Sequence, residues 1–600
     1  MSEKYSIEQK TVENILGYIR NEEIAIPEIQ RPFVWSGAQV RDLIDSLYRG
    51  YPAGYLIVWQ NPDVSLRDGS KSVGKKILID GQQRVTAMMT AIDGREVLND
   101  EYQLRRIAIA FNPWAEEGES NFEVKTPAHV KDKKWIPDIS VLFASTFKQR
   151  QFENEYCENN PSVDVDLFSE KINKVREIVH RQLGVIMLDS GLGIDDVTEI
   201  FVRINSQGKE LNEADFAMSK LAADNRFGGK YLRKAIDYFC HLTVAPTFWE
   251  RVQRDKEYME SSFAKESEWL KYDNKEIYDP EYSDMLRVAM MHMFGRGKLK
   301  DLVALLSGRD FENRIYKDEI VESSFKQLTE GIHHFVKEYN FQQFVQAIET
   351  AGFISPKLLN SQITLDFAYT LYLYLQRTGE VGKQEIGHYV QKWFVMSTLT
   401  GRYIGSPESW MDRDLRAIKE RGVVETLKEL ESAVLGADFW ENGLVQALET
   451  SAAKSPYLAV FKAAQVFFNE KSLLASTPVR NLIDGGDVHH IFPKNYLKRA
   501  GKIRSVYNQV ANYTYLETPI NIAIGDDPPS VYLGKAFQQC ETKKPQIGLI
   551  TDIESLKSSL KTNCIPEDIG TMDADVFETR FLPARRRLMA AKIRRYYAAL

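Results

Sequence analysis

Apolar residues at Val40, Leu43, Ile44 and Leu47 recur at i, i+3, i+4 and i+7, the spacing of a helix that buries one face, and Ile7, Val12, Ile15, Leu16 and Ile19 predict a second helix upstream. Runs rich in β-branched and aromatic residues, Tyr55 to Trp59, Ile77 to Ile79, Ile107 to Phe111 and Val185 to Leu188, predict strands. Alternating strands and helices of this kind make residues 1–230 an α/β domain. Over 231–440 the strand signals fade and long helical patterns follow, Phe325 to Tyr339, Leu365 to Leu375 and Ile386 to Leu399. A helical coupling domain is expected there, with the aromatic stripe Phe367, Tyr369, Tyr372 and Tyr374 as packing residues. Residues 441–600 begin helical, turn at Gly485 and Gly486, and carry the densest polar motif of the chain. The class expected is α+β, multidomain and predominantly helical.

A chain of 600 residues exceeds what one core holds, so several domains are needed. With 44% hydrophobic and 27% charged residues it should be folded nearly throughout. The net charge of −7 excludes a generally polycationic coat and makes any nucleic-acid contact regional. Cys157, Cys240, Cys540 and Cys564 lie far apart, which suggests neither a disulfide framework nor a cysteine zinc site and fits a reducing cytoplasm. Neither a leader nor a run long enough to span a membrane is evident, so no membrane partner is expected.

Residues 77 to 92 read as strand, polar turn, helix. Asp80 is placed to cap the helix, Gly81 to let the backbone turn closely, and Gln82, Gln83 and Arg84 to add side-chain donors at a helix N-terminus that already attracts anions. A phosphate would be well held there; equally, Arg84 could pair with a carboxylate on a capped helix. Two further segments carry an arginine in polar company: Ile26 to Trp35, with Gln30 and Arg31 between prolines, and Phe201 to Gly208, with Arg203 and Asn205.

In the C-terminal part, Asp487-Val488-His489-His490-Ile491-Phe492-Pro493-Lys494 is followed by Asn512 and Asn521. The histidine pair in a β-forming run, a second short strand Tyr513 to Leu516 and a helix opening at Pro528-Pro529-Ser530 predict a ββα unit. Adjacent histidines on a strand point to opposite sides, so one can bind a metal while the other faces a water. Such a division suits phosphodiester hydrolysis, which needs a base for water and a cation for developing charge. The pair His333-His334, on a helical pattern, reads instead as surface or packing. Lys494, Lys498, Arg499, Lys502 and Arg504, and then Arg585, Arg586, Arg587, Lys592, Arg594 and Arg595, could form a phosphate-tracking surface. The last group could equally be the solvated face of a helix that packs Leu588, Ala591 and Ile593 inward.

The ordered segments IPEIQRPFVW, ILIDGQQR and FVRINSQGKELNEADF, over residues ~10–225, resemble the N-terminal domain of GmrSD-type, modification-dependent (type IV) restriction enzymes, and 487–521 resembles the HNH, or ββα-metal, nuclease domain at the C-terminus of the same family. The resemblance implies a ParB/sulfiredoxin-like domain over 1–230 that binds and hydrolyses a nucleoside triphosphate, with Gln30, Arg31, Asp80, Gly81, Gln82, Gln83, Arg84, Arg203 and Asn205 around the nucleotide. Asp80 and Arg84 would act in turnover, Asp80 beside a magnesium ion. For 441–600 it implies His490 as general base, Asn512 orienting it through backbone support, His489 and Asn521 as metal ligands, and Asp487 as a further ligand or supporting carboxylate. Where relatives carry Asp or Glu before the catalytic histidine, this chain has His489, which moves the preference from Mg²⁺ toward Mn²⁺ or another transition metal. The function implied is an NTP-dependent or NTP-regulated endonuclease of antiviral defence acting on double-stranded, modified DNA, with homo-oligomerisation open. The other class is a nucleotide-responsive DNA-binding regulator whose finger does not cut.

Overall fold

The computed structural model describes residues 4–21, 23–25, 33, 35–60, 76–98, 104–116, 120–189, 191, 192, 197, 200, 213–224, 226–272, 277–311, 313, 315, 317–485 and 488–600. Packing divides the chain into two compact units, Met1–Tyr272 and Asp273–Leu600. The helical stretch expected over 231–440 is thus shared between them, and 441–600 belongs to the second.

The first unit is built on a mixed five-stranded sheet. Its early elements are β1 (Tyr5–Thr11), α1 (Val12–Arg20), β2 (Ile24–Ala25), α2 (Gly37–Arg49), β3 (Tyr55–Gln60), β4 (Lys76–Asp80) and α3 (Gln82–Ala91), and β5 (Gln182–Leu188) returns much later. The order across the sheet is β1-β5-β3-β4-β2, with β3 parallel to β5 and antiparallel to β4. β3 is apolar without alternation because both its faces are covered. Leu56 and Val58 pack into one core with Val40, Ile44 and Val85, while Ile57 and Trp59 join Ile79 and Leu188 in another. The helix expected to include Ile7 begins only at Val12, and Ile7 lies in edge strand β1, 62% exposed. The Thr11 hydroxyl accepts from the Asn14 N–H and the Asn14 side chain returns a bond to the Thr11 N–H, a reciprocal cap that fixes the start of α1.

The described part of the second unit is mostly helical. Helices α4 (Tyr282–Phe294), α5 (Asp318–Val336), α6 (Glu338–Thr350), α7 (Gln362–Thr378) and α8 (Ile386–Thr400) form its first half. The single helix expected over 325–339 breaks at Lys337, which takes an extended ψ, and the turn brings Phe335 and Phe341 into one cluster, ring centroids 6.1 Å apart. Phe367 and Tyr369 are fully buried; Tyr369 stacks on Phe344 and donates its hydroxyl to the Phe335 carbonyl at 2.6 Å. Arg287 joins α4 to α7 by donating to Asp284 at 3.1 Å and Asp366 at 2.6 Å. The second half contains α9 (Pro456–Phe467), a hairpin of β6 (Val488–His490) and β7 (Tyr513–Tyr515), and the helices α10 (Lys494–Arg499), α11 (Thr518–Ile524), α12 (Pro529–Thr542) and α13 (Leu582–Ala599). Among the described residues no helix is long and apolar enough to cross a membrane.

Candidate nuclease centre

Strands β6 and β7 pair antiparallel, with Val488 opposite Tyr515, His489 opposite Thr514 and His490 opposite Tyr513. Directly opposed residues share a face, so His490 and Tyr513 lie on one side and His489 and Thr514 on the other. The His490 ring meets Tyr513 edge to face, centroids 5.3 Å apart, and Tyr507 at 6.2 Å. Its Nε2 lies 2.9 Å from Asn508 Oδ1. An amide oxygen only accepts, so Nε2 carries the proton and donates, which leaves Nδ1 as the basic nitrogen. Burial pushes the imidazole pKa down, partly offset by the Asn508 bond and reinforced by Lys494 and His489. At neutral pH the ring is therefore uncharged and able to accept a proton.

Asn512 is fully buried, and its hydrogen bonds go to backbone groups rather than to the imidazole. Its Oδ1 accepts the Phe492 N–H at 2.9 Å, its Nδ2 donates to the carbonyls of Phe492 at 3.2 Å and Tyr507 at 3.1 Å, and its own carbonyl accepts the Ile491 N–H at 2.8 Å. It staples the chain just past His490 to the segment carrying Asn508. The imidazole partner, Asn508, was missed by the sequence argument; the one signal for it is the spacing Asn508-Gln509-Val510-Ala511-Asn512, which sets two amides on one short connection.

His489 is half-buried on the opposite face, and Asn521 sits in α11, which starts three residues after β7. Asp487 lies outside the described residues. The unit is therefore strand, strand, α11, with the helix expected at Pro528 following as α12; Tyr532 of α12 donates its hydroxyl to the Ile491 carbonyl at 3.0 Å. Among the described residues no three His, Cys, Asp or Glu side chains converge as a metal cluster. The donors expected from the sequence, the His489 imidazole, the Asn521 amide and the Asp487 carboxylate, would mix nitrogen and oxygen, a chemistry that suits Mn²⁺ or a later transition ion better than an all-oxygen cage does. A further cation lies on the His490 face: Lys462 of α9 is 4.6 Å from the Tyr515 ring centroid, and burial together with Lys357 brings its pKa down to about 8.

The two basic clusters separate. In and after α10, Lys494, Lys498 and Arg504 are exposed, while Arg499 pairs with Asp526 at 3.0 Å and Lys502 with Glu578 at 2.7 Å. In α13 each sequence-based expectation holds only in part: Arg587, Arg594 and Arg595 are exposed, but the other three cations are not. Arg585, Arg586 and Lys592 are buried at 1%, 8% and 7% exposure, so they cannot track phosphates, whereas Leu588 and Ala591, expected inside, face out. The cause is tertiary pairing: Arg585 donates to the Ala511 carbonyl at 2.8 Å, Arg586 to Gln509 Oε1 at 3.2 Å, and Lys592 pairs with Glu470. Of the expected inward residues only Ile593 is buried.

In the first unit, Asp80 does not cap α3. The N-cap is Gly81, at φ +94°, where a Cβ would come within 2.3 Å of Leu56 Cδ2. Asp80 instead pairs with Arg84, Oδ2 to Nη2 3.1 Å, and Arg84 Nη1 donates to the Tyr55 carbonyl at 2.6 Å. Gly54 makes room for that guanidinium, since a Cβ there would lie 2.4 Å from Nη1. Gln82 is buried and Gln83 half-buried. Gln30, Arg31, Arg203 and Asn205 lie outside the described residues. The pair His333-His334 resolves into packing on one side: His334 Nδ1 is 2.9 Å from Nε2 of buried His292.

Comparison with known proteins bears on the first unit most directly. The chain is 21% identical to an uncharacterized protein of Methanocaldococcus jannaschii, over 95% of its own length and 96% of that protein's. Residues 12–222, which include the whole sheet apart from β1, match the family model described as the GmrSD restriction endonuclease, N-terminal domain.

Proposed function

We propose that this chain is a DNA endonuclease of cytoplasmic antiviral defence, in which a metal-assisted ββα centre cuts duplex DNA and the N-terminal unit binds and hydrolyses a nucleoside triphosphate. The observation that carries the nuclease assignment is His490, neutral, with Nε2 anchored on Asn508 and Nδ1 presented as a base. In the reaction, Nδ1 accepts a proton from water as the water oxygen bonds to phosphorus and the bond from phosphorus to the departing ester oxygen breaks. Asn508 and Asn512 hold the ring and the backbone beside it, and Lys462 supplies positive charge on the same hairpin face. A divalent cation held by His489, Asn521 and Asp487 would neutralise charge developing on the phosphate. The match of residues 12–222 to a restriction endonuclease domain supports the defence role. Asp80, Gly81, Gln82, Gln83 and Arg84 would meet the triphosphate, joined by Gln30, Arg31, Arg203 and Asn205, and the substrate class would be base-modified or phosphorothioated DNA.

The test is restriction of plasmid DNA and a panel of differently modified phage genomes by the full chain, with Mn²⁺ or Mg²⁺, with and without each NTP. Cleavage of one modified class, dependent on metal, is expected. The second reading is a nucleotide-responsive DNA-binding regulator whose finger binds DNA without cutting it. Binding without cleavage under every condition would favour it.

A further inference from the structure

Arg585 is a guanidinium in the core of the second unit, 1% exposed, with no carboxylate within ion-pair distance among the described residues. Burial brings its pKa down only to about 10, so it stays charged at neutral pH. Its partners are two backbone carbonyls, Ala511 at 2.8 Å from Nη1 and Asn563 at 3.4 Å from Nη2, and among the described residues its buried Nε has no acceptor. Taking a charge out of water without an opposite charge costs several kcal/mol, so stability alone does not account for an arginine here. Lys592, two turns on, shows the ordinary solution, pairing its ammonium with the Glu470 carboxylate. The next residue, Arg586, is 8% exposed and donates to Gln509 Oε1 at 3.2 Å, its other nitrogen lying 3.3 Å from Glu449.

The two arginines therefore grip residues 509 and 511 of the connection whose residues 508 and 512 hold His490 and its backbone. Each gripped residue adjoins one of the two amides: Gln509 follows Asn508, and Ala511 precedes Asn512. The hydrogen bonds of Arg585 go to backbone carbonyls, so its planar fork fixes where the chain runs rather than which side chain stands there. We infer that Arg585 and Arg586 are positioning residues of the nuclease centre, a clamp from α13 that sets the 508–512 connection and through it the orientation and tautomer of His490. The inference rests on His490 being the general base. It assigns these two arginines of the basic helix to the catalytic geometry instead of to the DNA surface, which leaves Arg587, Arg594 and Arg595 as the exposed cations of that helix.

The experiment uses the full chain and compares wild type with Arg585→Ala, Arg586→Met, Asn508→Ala and the exposed control Lys428→Gln. Four readouts are taken: cleavage kcat and KM with Mn²⁺, DNA affinity in EDTA at two salt concentrations, melting temperature, and the imidazole ¹⁵N signals of His490 in the metal-free protein. Loosening the clamp should lower kcat about 100-fold with KM and DNA affinity within about 2-fold, because a displaced base fails in the reaction and not in binding. The His490 signals should move from the Nε2–H form toward those of Asn508→Ala, and millimolar guanidinium should restore part of the Arg585→Ala rate. Lys428→Gln should match wild type. Loss of DNA affinity with a shallower salt dependence and unchanged kcat would overturn the clamp in favour of phosphate contact. So would His490 signals in both arginine variants identical to wild type while Asn508→Ala shifts them. Should Arg585→Ala fail to fold, Arg586→Met decides alone. If wild type cuts no DNA, the nuclease assignment fails, and the imidazole signals still decide whether the clamp acts on His490.

Discussion

The turn at the head of α3 and the hairpin of β6 and β7 each concentrate polar residues within a short stretch, yet they use them differently. In the turn, Asp80 and Arg84 bind each other and Arg84 also holds the Tyr55 carbonyl, so the motif satisfies much of its own hydrogen bonding. In the hairpin, one nitrogen of His490 is anchored and, among the described residues, the other makes no hydrogen bond, while the groups that orient the ring come from a connection eighteen and more residues further along. A polar cluster becomes a reactive centre when outside groups hold it and one atom is left to react. By that criterion the hairpin suits the catalytic role proposed for it as it stands, and the turn would suit the proposed nucleotide role only when a ligand opens or bridges its internal pair.

The sharpest way to break the comparison is nucleotide turnover. Asp80→Ala or Arg84→Ala is expected to abolish NTP hydrolysis, measured as phosphate release, while leaving Mn²⁺ binding to the full chain unchanged; wild-type turnover in both would remove the turn from the function. Next in size, Asn508→Ala should lower cleavage kcat about 10- to 100-fold through loss of the orienting bond. Asn512→Ala should act on the fold first: it strands the Phe492 N–H in the interior and should cost roughly 2–4 kcal/mol, read by denaturant melting. A smaller loss than that of a surface Asn→Ala substitution would show that the staple is dispensable.

The pair of buried His292 and half-buried His334 sharpens the comparison from the side of stability. Burial, helped by Arg377 and His334, brings His292 down to about 3, below its ordinary value of 6.5. As pH falls through 6.5 the unfolded chain takes up a proton there that the folded chain refuses until near pH 3, so the stability is full above 6.5 and declines between 6.5 and 3, by up to about 1.4 kcal/mol per pH unit. His292→Phe should flatten that decline in acid melting curves; an unaltered slope would place the pH dependence elsewhere. The smallest effect expected is on the stability of the turn itself. The Asp80–Arg84 pair is about one-quarter exposed, so breaking it should cost no more than about 1 kcal/mol even where turnover is lost.

Periodicity made much of the first unit legible, because α2, β3, β4 and β5 bury residues at the spacings their sequences display. It misassigned Ile7, since an edge strand running into a capped helix continues an apolar pattern across a change of period. The hairpin was legible from two histidines in a β-forming run. Its key contact was not, because the Asn508 bond depends on how a connection folds back, and an asparagine between tyrosine and glutamine carries no period. The basic helix misled for a related reason: a charge count registers cations, and only tertiary structure tells whether carbonyls or water receive them. Arg585 and Arg586 read as surface until Ala511 and Gln509 are seen opposite them.

The central claim is that His490 removes the proton from the attacking water. Single-turnover cleavage of one DNA duplex by wild type and by His490→Ala, at saturating Mn²⁺ and with binding measured in parallel, tests it most directly. Undiminished DNA binding with cleavage reduced by about 10²- to 10⁴-fold is the predicted result. Cleavage by His490→Ala at the wild-type rate would contradict it.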